Sequence, residues 1–179
     1  MKREERGVRS EAGLAVRIAP LKIADVDCLC ALAAEIWRAH YPAIISSAQI
    51  EYMLAERYNP AVVRAELPRG DLWWDQLLVN GDMAGFASYF MTRKAGEMKL
   101  DKLYVHHDRQ RQGYGGMLLD RVVTMARTYG CETLVLAVNK QNRNAIAAYD
   151  KYGFKVTASV VKDIGGGFVM DDYIMQKDV

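Results

Sequence analysis

The stretch Leu103-Tyr104-Val105-His106-His107-Asp108-Arg109-Gln110-Arg111-Gln112-Gly113-Tyr114-Gly115-Gly116-Met117-Leu118-Leu119 decides the fold. It runs from an apolar segment of strand character, through a glycine-rich turn, into a segment that opens a helix. Strand, turn and helix in that order aim backbone N–H groups at an anion. Gly113 and Gly115 let a phosphate approach those amides with no side chain in the way, and glycine tolerates a positive φ. A plain tight turn accounts for the same residues, so spacing has to separate the readings. No Lys-Ser or Lys-Thr follows, as a P-loop requires. Gly113-x-Gly115 is followed by Leu118 where a dinucleotide fingerprint has its third glycine, although Glu132 lies near that fingerprint's acidic position.

A chain of 179 residues suits one full domain and is short for two. The hydrophobic fraction of 51% supports a sizeable core. Twenty-four basic residues against 22 acidic ones leave a net charge of +2, too balanced for a dedicated duplex nucleic-acid binder. Cys28, Cys30 and Cys131 are odd in number and sit in apolar surroundings without metal-ligand spacing, so they read as buried thiols. No apolar run reaches the roughly 18 residues of a membrane-spanning helix. Residues 1–13 mix charges of both signs and lack the apolar core of a secretory signal. The composition reads as a cytoplasmic protein with a polar, flexible N-terminus over 1–13 and a single domain over 14–179.

Outward from the central stretch, the periodicity lays out the other elements. Leu14 to Ile18 forms a first strand closed by Pro20. Asp25 caps a helix whose apolar positions are Val26, Leu29, Leu32, Ala33, Ile36 and Trp37, and Pro42 ends it. A helix restarts at Ser47 and runs until Asn59-Pro60, and a short helix follows over Ala61 to Leu67, with Pro60 suited to its first turn. Leu72 to Val79 and Met83 to Thr92 flank Asn80-Gly81, the strongest short hairpin signal. A strand from Glu97 to Val105 leads into the glycine turn and a helix from Tyr114 to Tyr129, stopped by Gly130. Thr133 to Val138 is continuously apolar, the pattern of a central strand buried on both faces. A helix from Asn142 to Tyr152 with Gly153 behind it precedes two strands, Phe154 to Val161 and Phe168 to Gln176. This order is α+β with a mixed sheet, and it excludes an alternating doubly wound fold. His106 and His107, adjacent on an extended segment, are expected on opposite sides, which argues against a shared metal ion.

Gln110-x-x-Gly113-x-Gly115 after a strand, with Asn142-x-x-Ala145-x-x-x-Tyr149-x-x-x-Gly153-Phe154 downstream, resembles the GCN5-related N-acetyltransferase (GNAT) superfamily over residues 14–177. The segments Trp37-x-x-His40-Tyr41, Gln49 to Leu54 and Asp163 to Tyr173 look like a bacterial subgroup of unsettled substrate. The first of them is also loosely similar to bacterial polyamine acetyltransferases. The resemblance implies a mixed, mostly antiparallel seven-stranded sheet flanked by about four to five helices, with a splayed parallel strand pair. It further implies acetyl-CoA as co-substrate, with no metal, and direct transfer of its acetyl group to a primary amine in a ternary complex. A small-molecule amine is the implied acceptor, with no nucleic acid or membrane partner, and family precedent suggests a homodimer.

The family's roles carry over position by position. The amides of Arg111, Gln112, Gly113, Gly115 and Gly116 would hold the diphosphate at the positive end of the following helix. The main chain of Leu103 and Val105 would bind the pantetheine arm, and Leu103 or its neighbour would also supply the oxyanion N–H. Asn142 matches the family's pantetheine contact, and a helix N-cap would satisfy it equally well. Tyr149 matches the general acid; a phenol with a pKa of about 10 suits protonation of a thiolate whose acid has a pKa of about 8.5. The family often places a glutamate where this chain has Lys99. Asp101, two residues on, is the candidate base, and it could instead pair with Lys99 or Lys102. Trp37, His40 and Tyr41 fall at the substrate lip, where aromatic rings suit an alkylammonium, although Trp37 also has core spacing. In Asp171-Asp172 the two side chains face opposite ways; one attracts a cationic substrate and the other meets solvent. A non-catalytic CoA-binding or regulatory module on the same fold, or an enzyme modifying protein or RNA, are the alternatives.

Overall fold

The computed structural model describes residues 6–9 and 14–179. Among them are eight strands: β1 (Arg6–Arg9), β2 (Ala15–Pro20), β3 (Leu72–Val79), β4 (Asp82–Met91), β5 (Glu97–Val105), β6 (Thr133–Asn139), β7 (Lys155–Gly165) and β8 (Phe168–Asp178). The helices are α1 (Val26–His40), α2 (Ser47–Arg57), α3 (Pro60–Glu66), α4 (Tyr114–Thr128) and α5 (Arg143–Lys151). The seven expected strands are β2 to β8. The expected flexible segment 1–13 lies outside the described residues, apart from β1, whose backbone pairs with β2.

The sheet order is β1-β2-β3-β4-β5-β6-β8-β7. The β5–β6 pair is parallel, with Glu97 opposite Thr133 and Leu100 opposite Leu136. That pairing ends at Leu100 and Leu136, although both strands run on, to Val105 and to Asn139. β8 returns antiparallel to β6 and pairs on its other side with β7. Asn80 and Gly81 turn β3 into β4 with φ of 53° and 95°, the two positive angles of a type I′ hairpin.

The chain forms two compact units. The first holds the described residues up to Tyr89 together with Lys102–Val122. Its core includes the α1 stripe Val26, Leu29, Leu32, Ala33, Ile36 and Trp37, and every residue of β3 is buried. Each large aliphatic in such a stripe contributes about 1.5–3 kcal/mol by leaving water. Ser46 caps α2 by accepting from the Gln49 N–H at 3.2 Å, and Asn59 caps α3 by accepting from the Ala61 N–H at 2.9 Å. Asp25 stands at the N-cap of α1 but makes no capping bond; its carboxylate accepts from Gln76 Nε2 at 2.9 Å. Cys28 is exposed, which corrects the expectation of three buried thiols; Cys30 and Cys131 are buried. Burial, with Asp27 nearby, pushes the Cys30 thiol up to about 11.

The second unit comprises Phe90–Asp101 and Val123–Val179. Its core is built from Met98, Leu100, Met125, Ala126, Leu134, Leu136, Val138, Phe154 and Met175. β6 is internal to the sheet, yet only Leu134, Leu136 and Val138 are buried, and Ala137 between them is exposed. The continuous apolar run therefore covers a single buried face, and the expectation of burial on both faces is corrected. Among the described residues, no helix is long and apolar enough to cross a membrane.

Candidate active site

In the first unit, the glycine turn is tied to the strand before it and buttressed from behind. Gln110 Nε2 donates to the Val105 carbonyl at 3.2 Å. Arg111 takes φ 60° and Gly113 φ 83°, a left-handed pair that turns the chain into α4. Met117 N–H bonds the Gly113 carbonyl at 3.1 Å. The N–H groups of Tyr114, Gly115 and Gly116 come before that bond, in the turn where a helix leaves its donors unpaired. Arg111, Gln112 and Gly113 are exposed, and Tyr114 is buried as the anchor of the helix start. A Cβ built on Gly115 meets nothing within 4 Å, and its φ is not positive. Neither protein packing nor backbone angle demands glycine there; a diphosphate lying on the amides would. The donors fit that group.

α4 is held by a buried polar network that sequence reasoning missed. Asp75 on β3, fully buried, accepts from Tyr89 Oη at 2.5 Å and from Arg121 Nε at 3.0 Å. Burial, the largest single influence, works against the Arg121 charge, and Asp75 and Tyr89 together outweigh it, so the guanidinium pKa is raised. Lys102, also missed, is buried with its Nζ over Trp74 at 4.7 Å and over Tyr58 at 5.8 Å.

The three lip residues come together in the first unit. Trp37 stacks on Tyr41 with centroids 4.3 Å apart, and His40 meets Tyr41 edge-on at 4.9 Å. Tyr41 and Tyr104 share a hydroxyl hydrogen bond of 3.1 Å. Trp37 and Tyr41 are buried, His40 is exposed, and the Trp37 Nε1 hydrogen has no acceptor among the described residues. Leu103 is half-buried and Val105 buried on β5. A Cβ at Gly85 would come within 2.6 Å of the Tyr104 carbonyl, so the backbones of β4 and β5 approach closely there. His106 and His107 do not diverge. Their rings lie 4.1 Å apart because the chain bends into a 3₁₀ turn at His107 and ends the strand alternation. With Glu35, which binds His106 Nε2 at 2.8 Å, their ligand atoms fall within 4.8 Å of one another.

In the second unit, α5 carries Asn142 at its N-cap and Tyr149 near its end. Asn142 is buried, and its side-chain oxygen accepts from the Ala145 N–H at 3.3 Å, so the capping role is real. Tyr149 is half-buried, with its ring edge-on to Phe154 at 5.7 Å. Burial pushes its phenol up to about 12. Asp101 and Lys99 are half-buried on β5, and Lys99 Nζ sits 5.9 Å from the Phe90 ring centre. In the Asp171-Asp172 pair, Asp171 is exposed and bound by Lys140 Nζ, whereas Asp172 is half-buried.

A model of the acetyltransferase (GNAT) family matches residues 31–154. The chain belongs to this family. It is an acyl-CoA N-acetyltransferase with acetyl-CoA as co-substrate. It is similar to the spermidine N(1)-acetyltransferase of Thermoplasma acidophilum, 27% identical over 92% of this chain and 98% of the relative. It is 39% identical over 79 residues to the ribosomal protein bS18-alanine N-acetyltransferase of Escherichia coli K12, covering 44% of this chain and 52% of that one. Among solved structures, the PaiA N-acetyltransferase of Thermoplasma acidophilum in complex with coenzyme A superposes with a TM-score of 0.79 at 26% identity, covering 92% of this chain and 99% of that one. The GNAT fold accounts for the parallel β5–β6 pair and for the helix that follows the glycine turn.

Proposed function

We propose that this GNAT enzyme acetylates a primary amine of the polyamine class, by direct attack of the amine on acetyl-CoA in a ternary complex. The end-to-end similarity to a spermidine acetyltransferase carries this reading. In it, the amides of Arg111, Gln112, Gly113, Gly115 and Gly116 bind the diphosphate, and Leu103, Val105 and Asn142 bind the pantetheine arm. The Leu103 N–H receives the oxyanion of the tetrahedral adduct. Tyr149 protonates the departing thiolate; a phenol pushed up to about 12 stays in its donor form across neutral pH. His40 presents its exposed ring to an alkylammonium chain, backed by the buried rings of Tyr41 and Trp37. The small net charge of +2 supports a small-molecule acceptor over a nucleic acid. Cytoplasmic residence and a homodimer belong to the same reading, and sedimentation tests the second.

Thiol release from acetyl-CoA in the presence of spermidine, spermine, amino acids, aminoglycosides and peptide N-termini is the test. Turnover highest with the polyamines supports the reading, and silence with all of them sinks it. The local 39% identity to the bS18 alanine acetyltransferase favours one second reading, a protein N-terminus as acceptor. Preference for alanyl peptides over polyamines would select it.

A further inference from the structure

We propose that Asp172 is the general base that removes the proton from the acceptor's ammonium group. The proposal rests on the acetyltransfer reading above and names a residue that reading leaves open.

Three observations carry it. The first is register. Asp172 on β8 lies opposite Asn139 of β6 and opposite Val160 of β7. Along β6, Val135, Ala137 and Asn139 point to one face, and Lys99 of β5 lies opposite Val135. Lys99, Ala137 and Asp172 therefore share a face of the sheet. The second is access. Ala137, which pairs with Ile174 two residues along β8 from Asp172 on the same face, is exposed although its strand is internal, so that face is open two residues from Asp172. The third is the state of the carboxylate. Asp172 Oδ1 is shut off from solvent and accepts no hydrogen bond among the described residues. A buried acceptor without a donor is costly and seldom kept for stability. An ammonium N–H is the donor it lacks.

The charges that act on Asp172 are Lys99 on β5, two strands away, Lys140 after β6, Lys162 on β7 and Asp171 on its own strand. Burial, the largest influence, raises its pKa; Asp171 adds to that, and the lysines oppose it. A carboxylate with a raised pKa is the better base. Its neighbour Asp171 is already held by Lys140. Asp101, the other candidate, is half-buried on β5 and has an interaction of its own. The position where similar enzymes carry a glutamate is Lys99 here and supplies no carboxylate. The structure thus has its base two strands away, on the same face.

The step balances. The ammonium gives one proton to the Asp172 carboxylate, and the amine's lone pair forms the C–N bond to the thioester carbonyl. The adduct collapses by breaking C–S, and the thiolate takes the Tyr149 proton. The second nitrogen proton returns to the Tyr149 phenolate, leaving amide, thiol and a protonated Asp172 that releases its proton to solvent.

The test compares wild type, Asp172→Asn and Asp101→Asn with spermidine across pH 6 to 10, and measures acetyl-CoA affinity by calorimetry. For D172N, kcat/KM at neutral pH is expected to fall about 100-fold or more. It should recover as pH rises and the amine loses its proton unaided, with acetyl-CoA affinity unchanged. D172N is also expected to melt higher than wild type. The raised pKa means that the Asp172 contribution to stability falls as pH rises from its unfolded pKa through its folded one, so the advantage of asparagine grows over that window. Asp172→Ala gives the same kinetic readout should asparagine fail to fold. A higher KM with an unchanged pH profile, or the loss of the acidic limb in D101N rather than D172N, overturns the assignment. A wild type that turns over no amine sinks the acceptor reading and this one with it; wild-type turnover with an unaltered D172N profile sinks this one alone.

Discussion

Burial acts on Tyr149 and Asp172 in the same direction. Each is driven toward its protonated form. For a group that must hold a proton until a thiolate appears, that is the resting state needed. For a group that must accept one, it is a gain in basicity. Tyr149→Phe removes only the hydroxyl, so acetyl-CoA affinity should persist while kcat falls about 10- to 1000-fold. A spectroscopic check stands apart from turnover. With the phenol pushed up to about 12, Tyr149 should ionise after an ordinary tyrosine of pKa about 10. The wild-type-minus-Y149F difference in phenolate absorbance should then appear only above about pH 11. A difference centred near pH 10 would contradict the burial argument. Tyr149 stands out in the sequence as a candidate because its signal is local: an asparagine, a tyrosine and Gly153-Phe154 at fixed helical spacing. Asp172 was legible only as one of an adjacent acidic pair. Which of the two is buried depends on the register of β8 against β6, a contact across 33 residues between Asn139 and Asp172 that no local pattern encodes.

At the scale of elements, the glycine turn and α4 make a unit whose parts can be separated by substitution. Gly115→Ala puts a methyl group into space that no protein atom occupies. It should leave stability unchanged or raise it by up to about 1 kcal/mol, since alanine is the better helix former. It should weaken acetyl-CoA binding by blocking the amides. Lower stability with intact binding would mean that the glycine serves the fold instead. Asp75→Ala tests the opposite end of the same unit. It leaves Arg121 and Tyr89 without their shared acceptor in a buried site, and removal of one partner from such a pair costs about 3–5 kcal/mol. Chemical denaturation should show that loss in the midpoint, and a cost under about 1 kcal/mol would show water taking the carboxylate's place. The turn was legible because glycines, a hairpin dipeptide and proline stops act over a few residues. The network was not. Asp75 sits in Leu72-Trp73-Trp74-Asp75-Gln76-Leu77 as a polar interruption of an apolar strand, and its cation lies 46 residues away. The β6 expectation failed for a related reason: an apolar run states what a strand tolerates, and its neighbours decide which face is covered.

For the whole molecule, the question that separates an enzyme from a binding module on the same fold is whether ligand linkage and turnover go together. Anything that binds the native chain and not the unfolded one raises stability by RT ln(1 + [L]/Kd), about 2.7 kcal/mol at 100 times Kd. In a chain of 179 residues each kcal/mol moves the melting midpoint by about 2–4 °C, so saturating acetyl-CoA should raise Tm by about 5–10 °C. The same shift is expected in Y149F and D172N, because neither side chain is assigned to the coenzyme's diphosphate or pantetheine. G115A should lose most of it. The pattern matters more than any single value. A shift present in wild type, Y149F and D172N, with turnover at neutral pH strongly reduced in both variants, places chemistry on the two side chains and binding on the backbone loop. A shift in all three with turnover in none, across every amine tried, describes a coenzyme-binding module. A shift that G115A retains in full would move the diphosphate away from the glycine turn, and the roles assigned to residues 111 to 116 would have to be abandoned.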